Sequence, residues 1–287
     1  MFQNVYLILM NRKKKKEEDE KQKEITYLRT KDRTYYFALR DCYYMSIKAE
    51  NAARLMYLAT FIRQDTGGKL VNYHDSKPIT RRNLSAILGF GETATKRFWG
   101  EVKDKFITVK PDGLYMDPDI FFKGRLKEKP VNKQYYQFYC DAIRAIYKAT
   151  PTRQHCHLGY VFRLLPYLNL EYNVLCHNPD EKDLEKIDYL TFDEFCTLNG
   201  YTVEHRTKLI EIYKHLKFHT PYGEQVLLSA IIPFGNLNDA KLYINPYVIY
   251  KGGKYAIAYA LGEFAQPIKS REPRQRKFYP RNANLLP

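Results

Sequence analysis

The sequence lacks several features that mark common protein classes. It has no Gly-rich loop of the GxxxxGK[ST] type, so no phosphate cradle is predicted and any ATP-driven step would come from a partner. Its five cysteines are odd in number and never form a CxxC pair, which predicts free thiols in a reducing compartment. No apolar run is long enough to span a bilayer, and the lysines near the start follow the apolar stretch instead of preceding it as in a signal peptide. We therefore predict a cytoplasmic protein with no membrane partner.

Positive charge is abundant. The chain carries 47 lysines and arginines against 32 acidic residues, a formal net charge of +15, yet 45% of its residues are hydrophobic and can supply a core. A folded and strongly basic chain predicts a polyanionic partner, most often nucleic acid. General solubility charge is the alternative, but it seldom requires so large an excess. The length of 287 residues allows two domains of about 100 to 150 residues each.

Two stretches of the chain each recur further along. LYMDPDIFFKG at 114–124 returns as LYINPYVIYKG at 242–252, and ITRRNLSAILGF at 79–90 lies over LTFDEFCTLNGY at 190–201. The two matches keep their order, but they lie further apart in the second copy than in the first. We therefore predict a duplicated domain whose second copy carries an insertion between the two stretches.

The first copy contains the signals of a winged helix. Apolar residues at 50–62 have helical spacing, and Thr80 is the predicted N-cap of a short helix that ends at Gly89. A second helix is predicted over 92–105. Two short runs then flank Pro-Asp-Gly within 106–118, which predicts a β-hairpin. A helix-turn-helix followed by such a hairpin is a winged helix, with the hairpin as the wing.

The second copy repeats these signals. Helices are predicted within 157–168, 190–198 and 202–216, followed by an enlarged wing over 218–246 that contains the insertion. The predicted fold class is therefore α+β, with two tandem winged-helix domains. The predicted organisation is a charged arm at 1–33, winged-helix domains at 34–130 and 131–253 with a seam near Pro130, and a basic tail at 254–287.

The first copy resembles the RepL family of plasmid replication initiators, and more loosely the winged-helix proteins of plasmids and phages. The resemblance is carried by TRRNLSAILGFGETATKRFWGEVKDKFI and GLYMDPDIFFKG, which match that family's helix-turn-helix, its wing and its Asn-Pro-apolar-apolar-apolar-Lys-Gly close. It covers about 50–125, with a weaker echo at 155–253; Asp117 and Asn245 occupy the Asn position. It implies binding of origin DNA without catalysis, to recruit replication proteins. Two units in one chain are closer in architecture to the iteron-binding initiators of other plasmids.

The second predicted helix of the first copy offers groups suited to reading DNA. Thr93, Lys96 and Arg97 share its exposed face, and hydroxyl and guanidinium groups suit base edges, with Arg best matched to guanine. Arg81 and Arg82, on the first turn of the preceding helix, are placed to hold phosphates. Solvated helix charges are the alternative interpretation.

The corresponding face of the second copy is less basic. It offers Glu204, His205, Thr207 and Lys208, so we predict weaker base reading there or another ligand. Other basic residues surround the first wing, where gripping of phosphates and a plain solvated face are equally good interpretations. These residues are Lys110, Lys123, Arg125 and Lys127.

Other functions use the same sequence. A transcriptional regulator would use the same surfaces as a replication initiator, and host or element-encoded replication proteins and a second copy of the chain are candidate partners. A nicking enzyme would need His155 and His157 on one strand face to bind a metal, with Tyr247 as nucleophile, but the spacing around these histidines is helical. A zinc site that adds Cys176 and His177 has irregular spacing. We therefore predict no enzyme, no cofactor and no metal.

Overall fold

The structure is a computed structural model of mixed α and β composition with small antiparallel sheets, as the sequence predicts at this coarse level. No helix among the described residues is long and apolar enough to cross a membrane. The predicted arm, seam and tail lie outside those residues, apart from two positions in the arm, and the domain boundaries stay predictions. The structure describes residues 34–40, 46–124, 133–221, 223–231 and 239–250, together with Lys16 and Asp19.

The first unit, residues 34–124, contains three helices and a hairpin in the predicted order, together with two strands that were not predicted, the first and the last of its elements. Gly89 ends the first helix of the pair in the left-handed conformation, at φ 73°, as predicted for a glycine after a helix. The hairpin predicted around Pro-Asp-Gly is confirmed. The elements are β1 (Tyr35–Leu39), α1 (Ala49–Ala59), α2 (Leu84–Leu88), α3 (Glu92–Val102), β2 (Ile107–Lys110), β3 (Gly113–Met116) and β4 (Phe121–Phe122).

The predicted N-cap at Thr80 is wrong. Residues 81–83 form a turn, and α2 begins only at Leu84. The cause is Asn83, whose Oδ1 accepts the backbone N–H of Thr80 at 2.8 Å. This side chain folds back onto the chain, and such local bonds compete with helical hydrogen bonding.

The second unit, the described residues of 133–250, contains the same elements and additional ones. Thr191 begins the first helix of its pair with a capping box: the Thr191 hydroxyl accepts the N–H of Glu194 at 3.2 Å, and the Glu194 carboxylate accepts the N–H of Thr191 at 2.9 Å. The elements are β5 (Tyr135–Tyr139), α4 (Cys140–Ala149), α5 (His155–Arg163), α6 (Phe192–Leu198), α7 (Arg206–Lys214), β6 (Lys217–Thr220), β7 (Gly223–Val226), β8 (Leu228–Ile231), β9 (Lys241–Ile244) and β10 (Ile249–Tyr250).

The insertion in the second unit is not one enlarged wing. The predicted enlarged wing over 218–246 instead contains two hairpins, β6–β7 and β8–β9. Ile107 pairs with Met116 in the first unit, and Leu228 pairs with Ile244 at the matching place in the second, so β8–β9 is the counterpart of β2–β3. Part of the insertion precedes β8 and forms β6–β7, which the first unit lacks. The rest lies in the sequence between β8 and β9, which is longer than the sequence between β2 and β3.

In each unit, a segment that precedes the helix pair forms the same backbone hydrogen bond to the returning strand of the hairpin. The N–H of Leu70 donates to the carbonyl of Leu114 at 2.9 Å, and the N–H of Leu175 donates to that of Leu242 at 2.8 Å. The repeated Leu-Tyr-apolar motif is thus the returning hairpin strand in each unit, as predicted for the first.

A four-stranded antiparallel sheet connects the units, in the order β10-β5-β1-β4. The central strands β1 and β5 pair with Phe37 opposite Gln137. The outer strands attach at equivalent places, because Phe37 also pairs with Phe122 and Gln137 also pairs with Tyr250. An antiparallel pair with equivalent flanks has two-fold symmetry, so a local two-fold axis passes between Phe37 and Gln137.

Helices pack beside this sheet and join the units further. At the crossing of α1 and α5, a Cβ on Gly159 would lie 1.6 Å from the carbonyl oxygen of Ala49, so only glycine permits this approach. Helix α4 lays Tyr147 on Tyr57 of α1, with ring centroids 4.0 Å apart, and the Tyr147 hydroxyl donates to the carbonyl of Leu88 at 3.0 Å. One hydrophobic core therefore includes residues of both units.

Candidate nucleic-acid interface

Helix α3 separates an apolar face from a polar one. Phe98 and Val102 are fully buried, whereas Thr93, Lys96 and Arg97 are exposed. Residues three and four positions apart are neighbours on a helix surface, so these three side chains share one exposed patch. The structure thus brings together the three residues predicted to read bases in the first unit.

The two arginines before α2 take different positions. Both lie in the turn at 81–83. The sequence had predicted them on the first turn of a helix. Arg81 is half-buried, with its guanidinium carbon 5.5 Å from the ring centroid of Trp99 on α3. Arg82 is exposed and remains available to a phosphate. Cation–π stacking therefore holds Arg81 against α3.

The hairpin β2–β3 presents positive charge near its turn. Lys110 is exposed, with its ammonium 4.1 Å from the ring centroid of Tyr115. Asp112 accepts hydrogen bonds from Lys69 at 2.6 Å and from Tyr115 at 2.9 Å, and these bonds lower the pKa of its carboxyl group. Val109 is 56% exposed beside them. The turn therefore offers an ammonium and an apolar group that are both exposed, while its one acid is already paired.

Lys123 does not lie on this hairpin. It follows β4 on the shared sheet and is half-buried. Burial raises the pKa of the Cys140 thiol, and the charge of nearby Lys123 opposes that rise. The structure thus places Lys123 beside the joint between the units, and Arg125 and Lys127 lie outside the described residues.

The matching face of the second unit carries mixed charge. Thr207 and Lys208 are exposed on α7, while Glu204 and His205 are exposed in the 3₁₀ turn just before that helix. Burial lowers the pKa of His157 on α5, and the charge of Lys208 lowers it further. The structure brings the predicted residues together, but one of them, Glu204, is a carboxylate.

The charge of the whole unit follows the same trend. Residues 34–124 contain 14 lysines and arginines against 10 acidic residues, whereas residues 133–250 contain 12 against 13. Among the parts of the chain with a described fold, the first unit therefore carries a net positive charge, which favours a polyanion, and the second unit carries none.

A polar network that sequence reasoning missed positions α3. Glu101 on α3 accepts the side-chain N–H of Asn51 at 2.8 Å and the backbone N–H of Lys48 at 3.0 Å. Arg54 donates to Asn51 Oδ1 at 2.5 Å and lies 4.3 Å above the ring of Phe90. These bonds tie the end of α3 to α1. The available signal was the pair Asn51 and Arg54 among the apolar residues of this helix.

The geometry required for nicking is not present at the predicted residues. His155 and His157 lie two positions apart on α5, which directs their rings to different sides of the helix. His155 packs 4.3 Å from Tyr147, and Tyr247 is fully buried. Within the described ranges, no group of three or more His, Cys, Asp or Glu residues could hold a metal ion. The four described cysteines are free.

An apolar pocket of about 210 Å³ opens between α6, α7 and β8 of the second unit. Phe192 and Ile210 line it, and in the alignment of the two copies they stand at the positions that Arg81 and Trp99 occupy in the first unit. Neither the guanidinium nor the indole of the Arg81–Trp99 pair is therefore present in the second unit. The two units thus differ in packing as well as in charge beside α3 and α7.

Comparison with known proteins identifies no relative. No family model, no curated protein and no solved structure matches the chain. Functional inference therefore depends on the geometry and charge of the residues described above.

Proposed function

We propose that this chain binds double-stranded DNA sequence-specifically through two tandem winged-helix units and initiates replication at a plasmid or phage origin. The observation that carries the proposal is the exposed patch of Thr93, Lys96 and Arg97 on the second helix of a helix-turn-helix. A helix of this kind enters the major groove, where threonine, lysine and arginine match the edges of base pairs.

The surroundings of this patch support backbone contact. Lys110 on the neighbouring hairpin and Arg82 before α2 are exposed cations outside the helix that would read bases. Phosphate contacts of this type fix the position of a protein on the duplex, and base contacts then specify the sequence. The net charge of +15 adds attraction that does not depend on sequence.

Initiation is the biological role that the resemblance to RepL proteins favours. It requires that the bound chain assemble replication proteins, and the apolar pocket beside Ile210 is an available contact for one of them. A cytoplasmic location stays part of this proposal. Footprinting on the native replicon tests the role, because protection of repeats within the origin supports initiation and protection confined to a promoter contradicts it.

DNA binding itself is tested by selection from a randomised duplex library, followed by titration of the enriched duplex. Arg97→Ala should weaken specific binding by about 1–3 kcal/mol, because it removes a bidentate base contact. Lys208→Ala, at the matching position of the second unit, should cost less. Lys182→Ala, outside both reading helices, is the control and should bind like the unchanged protein.

Salt dependence provides an independent measurement. If six to eight phosphates are neutralised, affinity should fall by roughly three to four decades between low and moderate salt. A slope near zero, together with no enriched sequence, would show that the proposed function is wrong.

A further inference from the structure

We infer that the DNA site of one chain is an inverted repeat with arms of unequal stringency, bound by a single chain. This inference rests on the proposed function and adds the symmetry and stoichiometry of the target. It follows from the joint between the units and from the residues at matching positions of α3 and α7.

The joint determines the direction of the two arms. Strands β1 and β5 are antiparallel, and their outer neighbours attach at equivalent residues, so the operation that relates the units is a two-fold rotation. A two-fold rotation carries α3 onto α7 and reverses the component of the helix direction that is perpendicular to the axis. Two-fold symmetric proteins match DNA sites with the same symmetry. Any duplex that both helices contact must therefore present its half-sites in opposite directions, and a direct repeat would fit only one helix.

The joint also determines the stoichiometry. Separate β-rich units connected by a flexible linker could rotate and read either orientation, but here the units share a sheet and a core. The packing of Gly159 on Ala49 and of Tyr147 on Tyr57 holds the helices across that joint. The symmetry that many DNA-binding proteins obtain from two chains is thus contained in one chain.

The residues at matching positions of α3 and of α7 with the turn before it make the arms unequal. When the two copies are aligned, Thr93, Lys96 and Arg97 of the first correspond to Glu204, Thr207 and Lys208 of the second. Lysine lacks the planar fork that lets arginine bind guanine through two parallel bonds. A carboxylate at the Thr93 position repels phosphate and accepts only from donors such as the amino group of cytosine. The arm that α3 contacts should therefore show strong base preference, and the arm that α7 contacts should show weak base preference. We call them the strict arm and the loose arm.

The experiment uses the full chain and a randomised duplex library. The enriched site should contain two related arms in inverted orientation, one with strong base preference and one with weak preference. Three probes are then titrated: the inverted arms, the same arms as a direct repeat, and the strict arm alone. The inverted probe should bind at least about tenfold more tightly than either of the others. The loss of several specific base contacts would lower the affinity by more than this factor. Native mass spectrometry should find one chain on one duplex.

Matched variants assign each arm to its helix. Repeating the selection with Arg97→Ala should relax base preference in the strict arm only, and Lys208→Ala should relax it in the loose arm only. Both side chains are exposed, so thermal unfolding should match that of the unchanged protein.

The outcomes separate this inference from the proposed function. An enriched direct repeat, equal binding of the inverted and direct probes, two chains on each site, or one chain bridging two duplexes would overturn the inference and leave DNA binding intact. A library with no enriched sequence would overturn the proposed function itself.

Discussion

The two units have the same backbone bonding and different surfaces. The hairpins β2–β3 and β8–β9 begin and end on equivalent pairs, and the outer strands of the shared sheet attach in the same register. The second unit also contains α4 and the hairpin β6–β7, which pack against each other, and it has no excess of basic residues. The two units thus share their strand register but differ in their side chains. The basic residues suited to a polyanion are concentrated in the first unit, which has fewer elements.

One difference between the units has a direct structural cause. Asp117 and Asn245 occupy the same turn, and the Oδ1 of each accepts a backbone N–H two residues later at 2.9 Å. Asn245 also donates its side-chain N–H to the carbonyl of Val226 at 2.8 Å. Val226 ends the additional hairpin, which has no counterpart in the first unit, so only the second unit needs an amide here.

The largest effect is expected where the units meet. Gly159→Ala should destabilise the protein by about 3 kcal/mol, because the new methyl group overlaps the backbone of Ala49 and separates α1 from α5. Gly100→Ala on α3 is the control, since a Cβ there meets nothing within 4 Å. It should stabilise the helix by about 0.5–1 kcal/mol. Urea unfolding measures both, and equal unfolding midpoints for the two variants would contradict the packing described.

Exchanging the residues of the matching turns should affect the units unequally. Asn245→Asp should cost about 2 kcal/mol, because a buried carboxylate cannot donate to Val226 and faces its carbonyl instead. Asp117→Asn should change stability by less than about 0.5 kcal/mol, since an amide oxygen can still accept the same N–H. Urea unfolding at pH 7 would measure this difference, and equal losses would show that β6–β7 does not depend on the amide.

The helix starts provide a smaller contrast. Thr191→Ala should cost about 1 kcal/mol, because it removes the hydroxyl that accepts the N–H of Glu194. Thr80→Ala should cost less than about 0.5 kcal/mol, since Asn83 and not Thr80 supplies the accepting group there. Thermal unfolding of both variants checks this contrast, which would disappear if Thr80 were the true cap.

The smallest effect concerns pH at the joint. Burial lowers the pKa of His155, and the nearby charge of Arg54 lowers it further. The unfolded chain, with a histidine pKa of about 6.5, then binds the proton more readily than the folded chain. The free energy of unfolding is therefore highest above about pH 6.5, where His155 is neutral in both states. It decreases as the pH falls through the lowered pKa of His155 in the folded chain. His155→Gln, which can still donate to the carbonyl of Thr150, should flatten this decrease in urea unfolding measured from pH 7.5 to 5.

Local signals predicted the elements of each unit well. Gly89, Pro-Asp-Gly and the apolar spacing of 50–62 each act on neighbouring residues, and each predicts the element that the structure contains. The prediction at Thr80 failed because the Asn83 side chain folds back and accepts the N–H of Thr80, a local bond that the sequence pattern alone does not reveal.

Contacts between distant residues were not predictable in this way. The pairing of β1 with β5 joins Tyr35 to Tyr139, and both strands are too uniformly apolar for alternation to reveal a register. The division of the insertion into a hairpin and a longer turn became visible only from strand partners. At the candidate interface the exposed residues of α3 were predictable from helical spacing, whereas the support from Glu101 required its contact with Asn51.

A two-fold joint inside one chain also changes how the protein can evolve. In a homodimer, every mutation enters both halves of the interface at once and must suit both. Here the two halves are encoded separately, so Asn245 can bond to Val226 in one half while Asp117 occupies the matching position in the other. One half can therefore gain segments or change its charge without the same change in the other.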